Sequence, residues 1–442
     1  MSRTETLRAE LARRVSRGAA LGLGRVEAAL AGLGHPERAL TCIHVAGTNG
    51  KGSVCAMLEA MGLSAGLRTG LYSSPHLCRL NERIRIGGEP IADEPFADAL
   101  EAALRSELTF FEALTVAAFV ALREAAVELA IVEVGLGGRL DATNVLAAPA
   151  AAAVVSIDLD HTEWLGDDLR SIAAEKAAIF KPGAPAVVGP LAPEALDEAR
   201  RRAVACGAGP LWEVVVGAPG ATASPVTATP GARAGVVTPT ARGVAVRGPG
   251  GRALDTDLAL AGPHQVANAV VAVALAWAVQ ERLPGLARAA APGLAGARWP
   301  GRLERIDRAG VTVWLDCAHN PAGARALAAS LAGTLDPDRT VLLFGAMGDK
   351  AWPEMLDTLA PLARRRFYCE PLEASAGRRS AEPSALAARH AGATEPHPEH
   401  ALARALAGCR PGDALVVCGS IFLVGAVRAT LLGVTRDPPV PL

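Results

Sequence analysis

The segment IHVAGTNGKGSVCAML, from Ile43 to Leu58, combines glycines, a lysine and a serine in a pattern that could bind phosphate. In the common phosphate-binding loop, G-x-x-x-x-G-K-[ST], the hydroxyl residue follows the lysine directly. Here Gly52 separates Lys51 from Ser53, and Val45 stands where the first glycine is expected. The segment therefore predicts either an anion site with an altered spacing or a tight strand-to-helix turn that carries a solvated lysine.

The surroundings of this segment favour the anion site. An apolar strand ends at Ala46, and a helical pattern begins near Gly52. Backbone N–H groups of such a turn and of the helix N-terminus converge on one point, where the helix dipole favours negative charge. Lys51 could then reach the β- and γ-phosphates of a nucleotide, and Ser53 could bind Mg²⁺.

Two further strand ends carry side chains that could bind a metal. Glu133 lies near the end of one apolar strand, and Asp160 and His161 follow another. In open parallel sheets the carboxyl ends of the strands face the ligand-binding crevice. Glu133 could therefore hold Mg²⁺ beside the phosphate loop, and neutral imidazole could also bind a metal. The alternatives are an acid that faces solvent and a structural histidine.

The elements that would position these residues alternate along the chain. Short β-rich apolar runs alternate with alanine- and leucine-rich helical segments, which is typical of a mostly parallel sheet covered by helices. The predicted strands are Cys42–Ala46, Leu129–Val134, Ala152–Ile157, Val311–Asp316, Thr340–Ala346 and Ala414–Ser420. The predicted helices are Gly52–Ser64, Phe111–Glu128, Leu169–Phe180, Gln265–Gln280, Ala322–Ala332 and Ile421–Leu432.

The length of 442 residues and two changes in composition predict the domain organisation. Between about Val214 and Gly251 the chain is rich in Gly and Pro, which favours a few short antiparallel strands over helices. A second such stretch, Arg282–Arg302, precedes a new alternation of strands and helices. We therefore expect two domains, residues 1–296 and 297–442, with the boundary near Ala297.

Composition excludes several classes of protein. The formal net charge is -1, so general binding to nucleic acid is not expected. None of the eight cysteines forms a C-x-x-C pair, so neither a zinc site nor a disulfide framework is predicted. The charged N-terminus has no signal-peptide core, and no apolar run approaches the roughly 20 residues of a membrane helix. We expect a cytoplasmic protein without membrane contact.

Several motifs together resemble a known family. VAGTNGKGS, followed by LYSSPHL and NERIRI, resembles the Mur-ligase superfamily and, within it, the folylpolyglutamate synthase/dihydrofolate synthase family, whose loop carries the extra glycine. TFFEALT, VEVGLGGRLDATN, SIDLDHTEWLG, AAEKAAIFKPG, PGRLE, WLDCAHNPAG, LFGAMGDK and VVCGS continue the resemblance in family order, from Gly22 to about Val424. It implies an α/β fold with a P-loop, doubly wound, mainly parallel N-terminal domain and a smaller Rossmann-like α/β C-terminal domain.

The resemblance implies an ATP site and a metal site. The residues implied to contact ATP are Thr48, Asn49, Gly50, Lys51, Gly52, Ser53, Asn268, Arg302, Asp316 and His319. Mg²⁺, with two ions expected, is implied to bind Ser74, Glu133 and His161. Lys51, His161 and Lys176 are the expected catalytic residues, and Lys176 is expected to be carbamylated by CO₂. From the residues alone, a helix-surface lysine paired with a nearby acid is the favoured interpretation of Lys176, and Asp316–Asn320 could equally form a strand-end turn.

The resemblance also implies a pocket for a pteridine-bearing acceptor. Its implied residues are Leu21, Thr109, Phe110, Phe111, Glu112, Leu140, Asp141 and Ala142. The block TFFE could also begin a helix, because Thr109 can cap it and Glu112 would complete a capping box. Ala20 stands where an aspartate is expected in bifunctional members, so acceptance of dihydropteroate is an open question.

The implied reaction is ATP-dependent amide formation. A folate or dihydropteroate carboxylate attacks the γ-phosphate to give an acyl phosphate, and the amine of L-glutamate then displaces phosphate. Fixed positive groups would offset the repulsion between the two anions. The alternatives are a peptidoglycan-type amino-acid ligase and a P-loop ATPase without ligase activity. A monomer with only small-molecule partners is expected.

Overall fold

The computed structural model describes residues 3–17, 22–216, 232–239, 243–371 and 379–438. The chain divides into two compact units, one extending to Arg298 and the other beginning at Trp299. Two short segments, His76–Leu80 and Leu260–Pro263, group with the second unit. The boundary predicted near Ala297 lies beside this division.

The first unit is built on a large sheet of eleven strands within the described residues. These strands are β1 (Cys42–Ala46), β2 (Thr69–Tyr72), β3 (Ile84–Ile86), β4 (Glu89–Pro90), β5 (Leu129–Glu133), β6 (Ala151–Val154), β7 (Ala186–Val188), β8 (Leu211–Val216), β9 (Ala232–Pro239), β10 (Gly243–Arg247) and β11 (Ala253–Asp257). Their order is β11-β10-β9-β8-β7-β6-β1-β5-β2-β3-β4. The strands from β9 to β2 in this order pair in parallel, and the remaining pairs at both edges are antiparallel.

The first unit also contains eleven α-helices within the described residues. They are α1 (Arg3–Arg13), α2 (Gly24–Gly32), α3 (Lys51–Ser64), α4 (Asp93–Leu104), α5 (Phe110–Glu124), α6 (Thr162–Leu165), α7 (Leu169–Lys176), α8 (Pro193–Cys206), α9 (Pro263–Ala278), α10 (Pro284–Arg288) and α11 (Ala290–Gly296). Every residue of β1 and β5 is buried. Strands with two apolar faces are typical of a parallel sheet that is covered on both sides.

The second unit contains a smaller sheet. Its strands are β12 (Glu304–Arg308), β13 (Val311–Leu315), β14 (Thr340–Phe344), β15 (Arg365–Cys369), β16 (Ala393–Glu395) and β17 (Ala414–Cys418), in the order β12-β13-β17-β14-β15-β16. Only the β12–β13 pair is antiparallel among the described strands of this sheet. The helices are α12 (Pro321–Leu331), α13 (Trp352–Leu359), α14 (Pro383–Arg389), α15 (Pro398–Ala407) and α16 (Ile421–Leu432).

The predicted α/β fold is confirmed, and one local prediction is only partly correct. The chain between Val214 and Gly251 was expected to form antiparallel strands, but β9 pairs in parallel with β8. β9 extends the central parallel strands, and antiparallel pairing begins only with β10. Composition marks where helices cannot form, but it carries no information on strand direction. In the described part of the chain, no helix is both long and apolar enough to span a bilayer.

The helix that follows the glycine-rich turn is held closely by its neighbour. Most of α3 is buried, and it packs against α11. At Gly293 of α11, a Cβ atom would lie 2.5 Å from the Cα of Met61, so only glycine allows this approach. The packing of α11 therefore fixes the position of α3 and of the turn before it.

Gly293→Ala should destabilise the first unit by roughly 1–3 kcal/mol, because the new methyl group would push against the backbone of α3. Gly296→Ala in the same helix is the matched control, since a Cβ there meets no atom within 4 Å. The control should be neutral or stabilising by at most about 1 kcal/mol. Urea-induced unfolding measures both changes, and equal effects would contradict the packing described.

Candidate functional site

The turn between β1 and α3 requires glycine at its last residue. Gly50 precedes α3 with a left-handed backbone, φ 83°. A Cβ at Gly50 would also lie 2.3 Å from Oδ1 of Asn268 on α9. Backbone conformation and close packing therefore both require glycine here. The predicted residue Asn268 thus lies directly against the turn.

The chain that follows β6 fixes the turn from its other side. The backbone N–H groups of Thr48 and Asn49 donate to the carbonyl and to Oγ of Ser156, both at 2.9 Å. Ser156 Oγ donates in return to the carbonyl of Asn49 at 2.9 Å. Asn49 Nδ2 donates to Oδ2 of Asp158 at 3.2 Å. Neither Ser156 nor Asp158 was predicted, because their role depends on β1 and β6 being neighbours.

Two lysine amines meet at one carbonyl oxygen in this turn. Nζ of Lys51 donates to the carbonyl oxygen of Gly47 at 3.0 Å, and Nζ of Lys176 donates to the same oxygen at 3.2 Å. Lys176 is the last residue of α7 and is buried. Burial, followed by the charge of Lys51, lowers the pKa of Lys176 to about 7, while Asp160 and Asp141 act in the opposite direction. The Lys176 amine is therefore about half neutral near pH 7 and mainly neutral at higher pH.

The predicted metal ligands lie at or after the C-terminal ends of strands β2, β5 and β6. Glu133 ends β5, is buried, and pairs in register with Val45 of β1. Its Oε2 accepts a hydrogen bond from the backbone N–H of Ser74 at 3.4 Å. His161 immediately precedes α6 in a left-handed conformation, φ 52°, with its Nε2 3.9 Å from Oδ1 of Asp160.

These residues fit a magnesium ion bound mainly by phosphate and water. Across the described ranges, no three His, Cys, Asp or Glu side chains gather as a group able to hold a metal. Mg²⁺ does not require such a cage, since it commonly binds one or two carboxylates together with substrate phosphates. The single buried carboxylate of Glu133, on the strand next to the β1–α3 turn, is compatible with that form of binding.

A buried amide network connects α9 with the start of α3. Nε2 of Gln265 donates to Oγ of Ser53 at 3.2 Å, and Nδ2 of Asn268 donates to Oε1 of Gln265 at 2.9 Å. All three side chains are buried. Gln265 therefore orients both the serine hydroxyl and the amide that packs on the turn. It was missed in the sequence because a glutamine on an alanine-rich helix is not distinctive.

The two phenylalanines of TFFE, both predicted to line the acceptor pocket, lie in different environments. Phe110 is buried, with the guanidinium carbon of Arg83 5.4 Å from its ring centroid. Phe111 is partly exposed, and its ring lies against Gly135, where a Cβ would be 2.4 Å from Cζ. The same Cβ would lie 3.1 Å from Oδ2 of Asp141. The structure thus brings Phe111 and Asp141 together, whereas Phe110 belongs to the core.

Thr109 and Glu112 have a structural function in this region. The Thr109 side chain accepts from the Glu112 N–H, and the Glu112 carboxylate accepts from the Thr109 N–H, which completes the predicted capping box. Arg25 also donates to both oxygens of Glu112, at 2.7 and 3.2 Å. Of the other predicted pocket residues, Leu140 is partly exposed, Ala142 is buried, and Leu21 lies outside the described residues.

The predicted residues of the second unit lie after β13. Both oxygens of Asp316 accept backbone N–H groups at 2.9 Å, from Leu303 and from Ala318. The ring nitrogen Nδ1 of His319 lies 2.9 Å from the carbonyl oxygen of Cys317, so Nδ1 carries the proton. Nη1 of Arg302 donates to the carbonyl of Gly301 at 3.2 Å. Asp316 therefore shapes the strand-end turn, whatever it binds.

Comparisons with known proteins agree with this arrangement. The Mur ligase middle domain matches residues 45–205, and the Mur ligase glutamate ligase domain matches residues 301–421. A dihydrofolate synthase/folylpolyglutamate synthase of Mycobacterium tuberculosis is 35% identical, over 94% of this chain and 90% of the relative.

Solved structures are similar over almost the whole chain. Escherichia coli FolC in complex with DHPP and ADP has a TM-score of 0.81 at 31% identity, covering 97% of this chain and 98% of FolC. A bifunctional folylpolyglutamate synthase/dihydrofolate synthase with Mn, AMPPNP and L-glutamate bound has a TM-score of 0.81 at 33% identity, covering 96% and 98% of the two chains. The nucleotide, the metal ion and the amino acid in these structures are ligands of the relatives.

Lys176→Met should stabilise the folded chain most at low pH. The pKa of Lys176 is about 7 in the folded chain and 10.5 in the ordinary amine, so between these values the unfolded chain binds more protons. Wild-type stability therefore rises with pH through this window, and the cost of burying the cation is complete below about pH 7. Below about pH 7 we expect the free energy of unfolding of Lys176→Met to exceed that of wild type by a few kcal/mol. This difference should shrink as the pH rises. Urea unfolding in CO₂-depleted buffer measures it.

Lys176→Arg is the matched control for this measurement. Arginine keeps its charge throughout this range, so the variant should show no corresponding rise in stability with pH. A difference between wild type and Lys176→Met that stays constant across the window would show that the amine does not change its charge there.

Proposed function

The chain belongs to the folylpolyglutamate synthase/dihydrofolate synthase family of Mur-type ligases, and on this premise we propose that it joins L-glutamate to folates with consumption of ATP. Dihydropteroate is proposed as a second acceptor, in line with the double name of the relatives. The observation that carries the proposal is the convergence of Lys51 and Lys176 on the Gly47 carbonyl, within a turn built like an anion site.

The proposed reaction has two displacement steps. A carboxylate oxygen of the acceptor attacks the γ-phosphorus of ATP, the bond to the β-phosphate oxygen breaks, and ADP leaves with the electron pair. The acyl phosphate is then attacked at its carbonyl carbon by the glutamate amine. The carbon–oxygen bond to phosphate breaks, the amine loses a proton, and the amide and inorganic phosphate are formed.

The main physical obstacle is the repulsion between the acceptor carboxylate and the triphosphate. Lys51 and the N–H groups at the start of α3 are fixed before substrate arrives, so they can stabilise added negative charge without rearrangement. Ser74, Glu133 and His161 are the residues that we propose to hold Mg²⁺, which would neutralise phosphate charge when bound. Arg302, Asp316 and His319 keep the nucleotide-binding roles predicted from the sequence.

Lys176 is proposed to be carbamylated. Its neutral Nζ attacks the carbon of CO₂, a nitrogen–carbon bond forms, one carbon–oxygen electron pair moves to oxygen, and a proton leaves the nitrogen. Support comes from the lowered pKa of the Lys176 amine, about 7, which makes the nucleophilic form available. The product is an anion beside the Lys51 cation, so attraction replaces the repulsion between two amines.

The remaining proposals concern the state of the protein in the cell. All eight cysteines are free thiols, which is compatible with the proposed cytoplasmic location. We propose a monomer that binds only its small-molecule substrates.

Turnover should require all three substrates. With Mg²⁺ and ATP, ADP release should depend on both L-glutamate and a pteridine acceptor, tested with tetrahydrofolate and dihydropteroate in separate reactions. Release without glutamate or without an acceptor would favour a P-loop ATPase. Release only with a UDP-sugar peptide would favour a peptidoglycan-type ligase.

Lys51→Ala should lower this turnover by about 10²–10³-fold, because a fixed positive charge at the γ-phosphate is lost. Arg201→Ala is the control, since it removes an exposed cation on α8 that pairs with Glu198. Steady-state ADP release measures both variants. Unchanged turnover of Lys51→Ala would refute the proposed role of the turn.

Carbamylation should be visible by carbon-13 NMR after incubation with labelled bicarbonate at a pH above about 7, where neutral Lys176 is present. Wild type should show one protein carbamate resonance, and Lys176→Arg should lack it. Lys181→Arg is the matched control, because Lys181 is a neighbouring lysine whose Nζ donates to the Asn144 carbonyl instead. Equal spectra for wild type and Lys176→Arg would exclude the modification.

A further inference from the structure

We propose that Thr143 and His44 are positioning residues, which hold the Asp141 carboxylate as a hydrogen-bond acceptor for the pteridine ring of the acceptor substrate. This inference rests on the proposed function. Neither residue was singled out in the sequence. His44 stands within an apolar strand, and Thr143 directly follows the predicted pocket residues Leu140, Asp141 and Ala142.

The three side chains form a continuous hydrogen-bonded chain. Nε2 of His44 lies 2.9 Å from Oγ1 of Thr143, and Oγ1 of Thr143 donates to Oδ1 of Asp141 at 2.5 Å. The backbone N–H of Thr143 donates to the same Oδ1 at 3.0 Å, and that of Leu136 donates to Oδ2 at 2.8 Å. Burial raises the pKa of the Asp141 carboxyl, and these donors act in the opposite direction by favouring the ionised carboxylate.

The direction of these hydrogen bonds determines which side-chain atoms carry the protons. Because the Thr143 hydroxyl gives its hydrogen to Asp141, its oxygen must accept from His44, so His44 carries its proton on Nε2. The His44 ring is completely buried, and its Nδ1 has no hydrogen-bond partner among the described residues. A buried ring nitrogen without a hydrogen-bond partner lowers the free energy of unfolding by about 1–3 kcal/mol relative to an apolar residue at the same position. A polar residue that stability disfavours at this position is consistent with a role in function.

The two oxygens of the Asp141 carboxylate have different neighbours. Oδ1 of Asp141 is engaged by two donors from Thr143. Oδ2 accepts from the Leu136 N–H and lies beside Gly135, the residue that the Phe111 ring also contacts. A flat heterocycle stacked on Phe111 would therefore present its edge to Oδ2. The pteridine of a folate carries an amino group and a ring N–H on one edge, and an ionised carboxylate accepts from such donors.

The test separates pteridine recognition from general stability. Thr143→Val removes the hydroxyl at nearly constant shape, and Thr143→Ser restores it. We expect Thr143→Val to raise the KM for tetrahydrofolate about 10-fold with kcat within about twofold, since a hydrogen bond to a charged group is weakened. Thr143→Ser should return the KM to near the wild-type value. With p-aminobenzoyl-glutamate, an acceptor that lacks the pteridine, Thr143→Val should leave the KM unchanged.

A matched control and a double variant complete the experiment. Thr312→Val removes another threonine–aspartate hydrogen bond, Thr312 Oγ1 to Asp307 Oδ1 at 3.0 Å, and should not change either KM. His44→Leu should raise the KM for tetrahydrofolate less than Thr143→Val does. In the Thr143→Val background it should add nothing, because His44 acts through the hydroxyl. If Thr143→Val does not fold, Thr143→Ala replaces it.

Two results would overturn the inference. One is an unchanged KM for tetrahydrofolate in a folded Thr143→Val protein, and the other is an equal rise in KM for both acceptors, which would indicate a purely structural role. Failure of the proposed function is distinguishable, because it would appear as absent glutamate-dependent turnover in the wild-type protein itself.

Discussion

Two lysine amines share one carbonyl oxygen, that of Gly47, and the rest of the site is arranged around this contact. Two protonated amines that donate to the same oxygen repel each other. The repulsion is relieved when one amine becomes neutral or when an anion binds between them. Burial lowers the pKa of Lys176 to about 7, so this amine loses its proton near neutral pH and the charge repulsion at the turn is relieved. The protein thereby maintains a localised positive charge, which suits the binding of a triphosphate.

The parallel sheet explains how distant residues come to surround this contact. β5 and β6 flank β1, so Glu133 at the end of β5 and Ser156 after β6 lie on either side of the β1–α3 turn. Each neighbouring strand supplies one function, a carboxylate on one side and hydrogen bonds to the turn on the other. The packing of α11 on α3 at Gly293 holds the turn against the sheet.

Local sequence pattern was sufficient for the main elements, because apolar runs and helix caps are local properties. The predicted bounds of β1 and α16 match those of the structure, and the capping box of Thr109 and Glu112 was recognised from the four residues TFFE. Gln265, Ser156 and Thr143 were missed, since each acts through a partner distant in sequence. The different environments of Phe110 and Phe111 were equally invisible, because burial is decided by tertiary packing.

A crystal structure with Mg²⁺ and a non-hydrolysable ATP analogue would test the central claim most directly. The account predicts that a γ-phosphate oxygen lies within hydrogen-bond distance of Nζ of Lys51 and of the N–H groups that begin α3. Triphosphate bound elsewhere, with Lys51 still donating to the Gly47 carbonyl in an empty turn, would contradict it.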